Sequence, residues 1–337
     1  MREKILVTGA AGFIGFSLAL KLLKNGNKII GIDNLNNYYD TILKKNRLKI
    51  LKRFPNFNFV KIDICKNRKL NNLFKKYNFS KVYHMAAQAG VRYSLEAPEA
   101  YVKSNIVGFF NILENSKIYK IKHLIFASSS SVYGANKNYP FAENKSCTHP
   151  IQLYASTKLS NESMAHSYSA LYNLPSSAIR FFTVYGPWGR PDQALFLFTK
   201  NILENKHIKL FNYGNHTRDF TYIDDIVDGI IKIAKYTPKR NNNWNAKKPD
   251  PSFSKFPFQI YNIASNKRIK LTKYLQIIEN YLGKKAKIKN LPLQKGDVKD
   301  VISDITKIKR KLNYKPKYNV EIGIKNFINW YRSYYKI

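Results

Sequence analysis

Apolar and polar positions follow two periods along the first half of the chain, one typical of buried strands and one typical of helices. Apolar runs of strand length lie at residues 4–8, 28–32, 58–62, 81–85, 123–127 and 177–181. Helical periodicity lies between them, at residues 14–24, 69–77, 102–119 and 154–172. Strands that alternate with helices in this way predict an α/β fold, a Rossmann-type doubly wound parallel sheet with helices on both faces.

The second half of the chain has a less regular pattern. It becomes irregular after Pro187, and residues 237–258 are rich in Pro, Asn and Lys, as is typical of a long surface loop. We therefore expect a first domain over residues 1–186, which contains the sheet, and a smaller interleaved α/β domain over 187–337. Two later segments are candidates to return to the first domain, namely 218–235 and 258–264.

The composition is that of a folded protein. Apolar residues make up 44% of the chain. No run approaches the roughly 18 consecutive apolar residues of a membrane span, so we expect no membrane partner. The first apolar run begins directly after residues 1–4 with no leader-type segment, and Cys65 and Cys147 lie far apart without metal-ligand spacing. These features indicate a cytoplasmic protein with reduced thiols and no metal site.

The formal net charge of +37 raises the question of a nucleic-acid partner. The lysines are spread along the whole chain and accompany many Asn and Ile, and the sequence carries no motif of a nucleic-acid-binding domain. We interpret the charge as solvated lysine faces that can also steer anionic ligands. We therefore expect no nucleic-acid partner.

A glycine-rich turn, TGAAGFIG at residues 8–15, follows the first predicted strand and opens the first helix. Glycines there allow a tight turn and let the backbone approach a pyrophosphate at the helix N-terminus. A glycine triplet is weak as a signal alone, but Asp33 closes the second strand. Its carboxylate can accept hydrogen bonds from an adenosine ribose and repels a 2′-phosphate, so the combination favours NAD over NADP.

Tyr154 and Lys158 lie four residues apart on one face of a predicted helix. A lysine ammonium beside a phenol favours the phenolate, so the pattern predicts a lowered pKa for Tyr154 and a role as general base. This pair alone is common in sequences. A serine run over 128–131 follows a strand just upstream, however, and its hydroxyls can hydrogen-bond a reacting hydroxyl.

The glycine turn, the serine run and the Tyr154–Lys158 pair together resemble the extended short-chain dehydrogenases that act on nucleotide sugars. Further stretches resemble UDP-glucuronate 4-epimerases, namely HMAAQAGVRYS (84–94), RFFTVYGPWGRPD (180–192), FNYG (211–214), RDFTYIDD (218–225), KPDP (248–251) and GDV (296–298). The resemblance covers essentially the whole chain, and its AGVR and GRPD stretches narrow it to the uronate epimerases. Val301 and Ser303 depart from the family pattern.

The resemblance implies an NAD-binding first domain, a UDP-sugar-binding second domain and a catalytic set of Tyr154, Lys158 and Ser129. The residues that it implies for NAD are Gly9, Gly12, Phe13, Ile14, Gly15, Asp33, Asn34, Asp63, Ile64, Ala86, Ala87, Gln88, Tyr154, Lys158 and Tyr185. Those that it implies for the UDP-sugar are Arg92, Ser130, Ser131, Thr183, Arg190, Arg218 and Asp304. It also implies a homodimer formed through the helices at 102–119 and 154–172.

The implied activity is reversible C4 epimerisation of a UDP-uronic acid, UDP-glucuronate to UDP-galacturonate, by transient hydride transfer to bound NAD. The alternatives are a UDP-glucuronate decarboxylase or 4,6-dehydratase, and another UDP-hexose 4-epimerase. Decarboxylases and dehydratases of this type carry an acidic residue just before Val-Tyr-Gly, where this chain has Ser131. A dinucleotide-binding regulator without turnover belongs to another class, which the intact catalytic set disfavours.

Overall fold

A parallel sheet forms the centre of the computed structural model, which describes residues 3–337. The strands in chain order are β1 (Lys4–Thr8), β2 (Lys28–Asp33), β3 (Phe57–Lys61), β4 (Lys81–His84), β5 (His123–Ser129), β6 (Ser176–Phe181), β7 (Thr183–Tyr185), β8 (His207–Phe211), β9 (Thr217–Arg218), β10 (Phe220–Tyr222), β11 (Phe258–Ile263), β12 (Ile269–Lys270) and β13 (Lys287–Leu291). The α-helices are α1 (Phe13–Lys24), α2 (Thr41–Leu51), α3 (Asn67–Tyr77), α4 (Tyr93–Glu96), α5 (Pro98–Tyr101), α6 (Gly108–Ile118), α7 (Leu153–Tyr172), α8 (Ala194–Leu203), α9 (Ile223–Lys235), α10 (Leu271–Leu282), α11 (Thr306–Leu312) and α12 (Val320–Tyr335).

The central sheet has seven strands in the order β11-β6-β5-β4-β1-β2-β3, and each neighbouring pair is parallel. The order reverses between β1 and β4. In sheets of this kind, ligands bind outside the carboxyl ends of the strands at that reversal. The predicted Rossmann-type doubly wound sheet is therefore confirmed, and its topology places the ligand crevice beside β1 and β4.

The alternation of side chains along the central strands builds a core on each face of the sheet. Ile5 and Val7 of β1 belong to one apolar cluster, together with side chains of α1 and α9. Leu6, between them, belongs to the other cluster, together with side chains of α3 and α6. Burial of each such side chain stabilises the fold by about 1.5–3 kcal/mol, so both helix layers are held by the sheet.

The later part of the chain forms a smaller lobe and also returns to the sheet. Its strands pair two by two, β7 with β10, β8 with β13 and β9 with β12. β11 adds to the edge of the main sheet beside β6, and α9 packs against α1. The segment after Pro187 thus contains regular elements that its irregular pattern does not predict, because short strands and helices carry few periods of apolar repeat.

The predicted helix over 102–119 begins with a π-helical turn, Val102–Val107, which leads into α6. Asn105 in this turn is buried, and its side-chain oxygen accepts from the backbone N–H of Gln88 at 2.9 Å. Its side-chain amide donates to the Gln88 carbonyl and to Thr157 Oγ1, both at 3.1 Å. The turn thereby inserts a polar side chain between the β4 loop and α7, as π-helical turns near functional sites often do.

Helix α7 is anchored to the sheet by a buried ion pair. Glu162 accepts from Arg180 Nε at 2.9 Å and from Nη2 at 2.7 Å, and Ser128 Oγ donates to the same carboxylate at 2.5 Å. Glu162 belongs to α7, Arg180 to β6 and Ser128 to β5. One carboxylate therefore fixes the position of α7 against two strands.

The helices also bear on the question of membranes. Among residues 3–337, none of the helices combines the length and the apolar character that a bilayer crossing requires.

We predict that Glu162→Gln lowers the free energy of unfolding by about 3–5 kcal/mol, because it leaves the buried Arg180 guanidinium without its counter-charge. Urea denaturation followed by circular dichroism measures this. The control is Glu114→Gln, which removes the partner of Lys117 in a half-buried ion pair at the protein surface. The control substitution should lower the free energy of unfolding by about 1 kcal/mol or less. Equal losses in the two variants would contradict the anchoring role of Glu162.

Candidate active site

A cavity of about 230 Å³ opens at the carboxyl ends of β1 and β4, at the reversal of strand order. The sequence-predicted dinucleotide residues that line it are Gly9, Gly12, Phe13, Ile14, Gly15, Asp33, Asn34, Ile64, Ala86, Ala87, Gln88, Tyr154 and Lys158. They come from the ends of β1, β2, β3 and β4 and from α1 and α7, so segments far apart in the sequence meet at one crevice.

The glycine turn has a shape that only glycine allows. Gly9 has a φ of +68°, and a Cβ there would lie 2.8 Å from the backbone nitrogen of Ala86. A Cβ on Gly15 would clash with the carbonyl oxygen of Gly9. Because these glycines carry no side chain, α1 lies close to the turn and no side chain of theirs covers the helix N-terminus at the cavity. A helix N-terminus of this kind suits a pyrophosphate. The residues present therefore fit a dinucleotide.

Asp33 ends β2 at the far side of this cavity. Its Oδ2 accepts from the Ala11 backbone N–H at 3.1 Å and its Oδ1 from the Leu35 N–H at 2.8 Å. Burial raises the pKa of the Asp33 carboxyl, while these hydrogen bonds and the nearby cations Lys44 and Arg47 act in the opposite direction. The carboxylate is thus held in a fixed orientation, with lone pairs left to accept from ribose hydroxyls.

Two residues that the resemblance implies for NAD lie outside the cavity lining. Asp63 accepts from Asn34 Nδ2 at 3.3 Å and from the Cys65 N–H at 2.9 Å, so it orients Asn34, which does line the cavity. Tyr185 is buried in the aromatic core of the smaller lobe, and its hydroxyl donates to the Asn319 carbonyl at 3.3 Å. The structure does not bring Tyr185 to the dinucleotide crevice, because its ring is packed against other aromatic rings there.

The three predicted catalytic residues meet where this cavity joins a second one. Tyr154 begins the first turn of α7, Lys158 follows one turn later, and Ser129 ends β5. Ser129 lies beside the Tyr154 phenol and acts to lower its pKa, and its Oγ donates to Ser131 Oγ at 3.2 Å. Lys158 is buried, and its Nζ donates to the Ala127 carbonyl at 2.9 Å. Tyr154 and Ser129 line both cavities, so the phenol stands between the two ligand spaces.

The electrostatics differ from what the Tyr154–Lys158 spacing predicts. Burial raises the pKa of the Tyr154 phenol, and the nearby Ser129 side chain and the charge of Arg190 lower it only in part. Burial also lowers the pKa of Lys158 to about 8, against the opposing charge of Glu162. The prediction of a lowered pKa for Tyr154 is wrong for this structure, since desolvation of the phenolate outweighs the effects of Arg190 and Ser129.

The second cavity, of about 920 Å³, lies between the sheet and the smaller lobe. Six of the predicted substrate residues line it, namely Arg92, Ser130, Ser131, Thr183, Arg190 and Arg218. Its wall also carries Asp192 and Asp297. The cavity therefore joins hydroxyl groups next to Tyr154 with arginines further out, a combination that suits a polar, anionic ligand.

Each of two arginines in this cavity is held by a carboxylate. Arg218 donates to Asp297 Oδ1 at 3.0 Å and to the carbonyl of Val298 at 2.7 Å. Arg190 donates to Asp192 through both Nε, at 3.0 Å, and Nη2. These bonds orient the guanidinium groups before any ligand binds, so little side-chain freedom is lost on binding.

Asp304 has a structural role in this chain. Its Oδ1 accepts from the Thr306 N–H at 2.7 Å at the start of α11, and its carbonyl accepts from Asn262 Nδ2 at 3.0 Å. It lines neither of the two cavities. The structure therefore does not bring Asp304 to the substrate residues, in the segment where the sequence already departs from the family pattern.

Several cavity residues are not predicted from the sequence. Tyr38 lines both cavities, and Tyr39 and Lys44 line the dinucleotide cavity. Asn105 lies behind Gln88, as described above. Asn105 could have been noticed as a polar residue on an apolar helix face, whereas the segment containing Tyr38 and Lys44 has no pattern that points to a ligand.

The fold and the site together define a class of protein. A doubly wound sheet with a glycine cradle at its switch point holds a dinucleotide, and a Tyr–Lys–Ser set at its edge can transfer a proton at a hydroxyl. The polar second cavity leaves room for an anionic partner. This is the arrangement of a dinucleotide-dependent enzyme of the extended short-chain dehydrogenase type.

Comparison with known proteins narrows the class. The profile of the family described as GDP-mannose 4,6 dehydratase matches residues 6–327. Protein CapI of Staphylococcus aureus is 48% identical over 333 residues, which are 99% of each chain. The probable UDP-glucuronate 4-epimerase of Rhizobium meliloti (strain 1021) is 41% identical over 334 residues, 99% of this chain and 98% of that protein. The structure of UDP-glucuronic acid 4-epimerase from Bacillus cereus, in complex with UDP-glucuronic acid and NAD, matches with a TM-score of 0.88 at 33% identity, over 98% of this chain and all of that one.

The chain belongs to the UDP-glucuronate 4-epimerase family, within the broader group of nucleotide-sugar enzymes that the profile describes. The resemblance drawn from the sequence motifs is thereby confirmed.

Proposed function

We propose that this protein is an NAD-dependent UDP-glucuronate 4-epimerase, which interconverts UDP-glucuronate and UDP-galacturonate. The observation that carries the proposal is the position of Tyr154, whose phenol lines both the dinucleotide cavity and the polar cavity beside it. A base in that place can reach a sugar hydroxyl next to a bound nicotinamide. The relatives from Rhizobium meliloti and Bacillus cereus, which are named for this activity, support the same assignment.

NAD, when bound, would supply a reversible hydride acceptor and a positive charge, and the residues of the first cavity would hold it. Tyr154 removes the proton of the C4 hydroxyl and returns it after the sugar has turned. Ser129, which lines both cavities beside the phenol, holds the reacting hydroxyl in line. Lys158, fixed on the Ala127 carbonyl, keeps α7 and its tyrosine in register with β5. Positioning of this kind supplies a large part of the catalysis in such enzymes.

The outer part of the second cavity suits the UDP group. Arg218 and Arg92 both lie near Asp297, with Arg92 at 3.8 Å from that carboxylate and its guanidinium over the ring of Phe211. Guanidinium groups recognise phosphate oxygens in a bidentate manner, so this end of the cavity fits a diphosphate. Arg190 lines both cavities, and its charge acts on the Tyr154 phenol, so we assign it to the sugar end of the cavity.

The hydroxyl-rich end of the cavity suits the uronate carboxylate. Ser130, Ser131 and Thr183 line it beside Ser129, and Ser129 Oγ accepts from the Ser131 N–H at 3.2 Å. The 4-keto form of the sugar carries its carboxylate beta to a ketone and can lose carbon dioxide. Hydroxyls that hydrogen-bond the carboxylate stabilise its charge and oppose that loss, and a serine at position 131 provides no acid to protonate C5.

Tyr154→Phe should lower kcat on UDP-glucuronate by at least about a hundredfold, the usual scale for loss of a general base, while NAD remains bound. Chromatography of the nucleotide sugars measures turnover, and absorbance of the purified protein measures retained NAD. Tyr172→Phe, at the exposed end of the same helix, should keep normal activity. Turnover close to that of wild type in Tyr154→Phe would remove the phenol from the mechanism.

Thr183→Val should raise the share of decarboxylated pentose products, because it removes one hydrogen bond worth about 0.5–1.5 kcal/mol from the carboxylate at nearly constant shape. Mass spectrometry of the product nucleotides measures the ratio. Thr199→Val, a buried threonine of α8 outside both cavities, is the control. An unchanged ratio would contradict the proposed contact of Thr183 with the carboxylate but would leave the epimerase assignment intact. A wild-type protein that releases mainly pentose would instead identify a decarboxylase.

We also propose a homodimer that packs α6 and α7 of one subunit against the same helices of the other. The π-helical turn and α6 present exposed apolar side chains, including Val107 and Phe110, each 43% exposed, and Leu171 of α7 is 72% exposed. Apolar side chains on two adjacent helices are a suitable surface for a symmetric interface.

Phe110→Glu should convert a dimer into a monomer of 39.2 kDa, because it places a charge in the proposed apolar interface. Light scattering at micromolar concentration measures the mass. Ile42→Glu, at a side chain 61% exposed on α2, should leave the dimer intact. A wild-type protein that is already monomeric would refute this interface.

A cytoplasmic location is part of the proposal. Cys65 and Cys147 are both free. Burial raises the pKa of the Cys65 thiol to about 12 and that of Cys147 to about 11. Thiols that stay protonated react slowly with oxidants, and unpaired cysteines of this kind are ordinary in a reducing compartment.

A further inference from the structure

Arg47 of α2 is among the most completely buried side chains of the molecule, with no exposed surface. Its Nη1 donates to the carbonyl of Ala11 and to the hydroxyl of Tyr39, both at 2.8 Å. Its Nη2 donates to the carbonyl of Trp188 at 2.6 Å and to that of Gly189 at 3.3 Å. Burial of a cation away from water costs free energy, and the four neutral oxygens that accept from Arg47 offset part of this cost. A buried arginine bonded in this way indicates a role in positioning the groups that it contacts.

The contacts of Arg47 join two parts of the active site that are far apart in the sequence. Ala11 belongs to the glycine turn of the dinucleotide cavity. Trp188 and Gly189 belong to the turn that follows β7, and the next residue, Arg190, lines both cavities. One planar guanidinium therefore sets the distance between the dinucleotide cradle and the backbone that carries the substrate-facing arginine.

The turn that carries Arg190 needs such support. Trp188 has a φ of +62°, in the left-handed region that a non-glycine residue adopts only when its surroundings hold it there. The bond from Arg47 to the Trp188 carbonyl fixes that peptide. The indole ring is also held, by Phe16 of α1 and Trp330 of α12.

A second contact links the same two segments. The hydroxyl of Tyr38 donates to Asp192 Oδ2 at 3.0 Å, and Asp192 in turn pairs with Arg190. Residues 38–47 therefore hold the 188–192 turn at its backbone, through Arg47, and at its side chains, through Tyr38. Arginine suits the backbone contact because its fork offers donors in two directions, whereas a lysine has a single nitrogen.

We propose that Arg47 is a positioning residue for the reaction. It holds Arg190 at a set distance from the dinucleotide cradle, so that the sugar bound by Arg190 lies at the correct place relative to the bound cofactor. This rests on the proposed function, in which Arg190 contacts the substrate. Arg47 itself touches neither cavity and acts through the 188–190 backbone.

A double-mutant cycle tests the proposal on the NAD-loaded enzyme with UDP-glucuronate as substrate. Arg47→Gln should lower kcat/KM by about 10- to 100-fold, the scale of a misplacement near 1 Å. Arg190→Gln should also lower it. The double variant should fall within about twofold of Arg190→Gln alone, because Arg47 acts through Arg190. Arg53→Gln, which removes an exposed arginine just after α2, should behave as wild type.

Arg47→Lys distinguishes the effect of the guanidinium geometry from the effect of its charge. It takes the place of Arg47→Gln in the cycle if that variant does not fold. It keeps the cation but not the fork, so its kcat/KM should stay well below that of wild type, and it should show the same non-additivity with Arg190→Gln. Losses that multiply in the double variant, or full activity in Arg47→Lys, would overturn the proposal. So would a fall in melting temperature with unchanged kcat/KM.

Failure of the proposed function gives a different result. If the wild-type protein does not epimerise UDP-glucuronate, the same cycle is measured on the affinity for UDP-glucuronate by calorimetry. Non-additive losses of affinity would then support the positioning role without the epimerase assignment, and additive losses would refute it.

Discussion

The ion pair between Glu162 and Arg180 joins α7, the helix that carries Tyr154 and Lys158, to the sheet. Both side chains are almost entirely buried, and isolated charges in such a place would cost several kcal/mol each, so the pair is stable only in its hydrogen-bonded geometry. That geometry places α7 across the ends of β5 and β6. Lys158 then reaches the Ala127 carbonyl, and Tyr154 lines the two cavities beside Ser129, so the proposed catalytic set depends on a contact several residues away from it.

Burial also determines the chemistry of the site. It raises the pKa of Tyr154 and lowers that of Lys158, which means that the two residues do not form a self-sufficient phenolate–ammonium pair in this structure. In the proposed mechanism, the positive charge of bound NAD would favour the phenolate form of Tyr154.

The chain carries a net charge of +37, yet few of its cationic side chains line the site. Two of those that do are each paired with a carboxylate. Arg190 is paired with Asp192 and Arg218 with Asp297. Paired arginines keep their direction but present a reduced field, so recognition depends on bidentate geometry more than on total charge. The many surface lysines can at most increase the local concentration of an anionic substrate, an effect that salt would screen.

The sequence by itself determined six of the seven strands of the central sheet and four of the helices that cover it, because each of these is long enough to carry its own apolar period. It also determined the glycine turn, Asp33, the Tyr154–Lys158 pair and the serine run upstream of it, because each is a local pattern beside a predictable element, and the family resemblance then selected Ser129 from that run. Only the tertiary structure decided that Tyr185 and Asp304 lie outside the cavities, that Asn105 supports Gln88, and that Arg47 ties two turns together. These outcomes depend on which distant segments meet and on how much water they exclude, and neither quantity is encoded in the spacing of neighbouring residues.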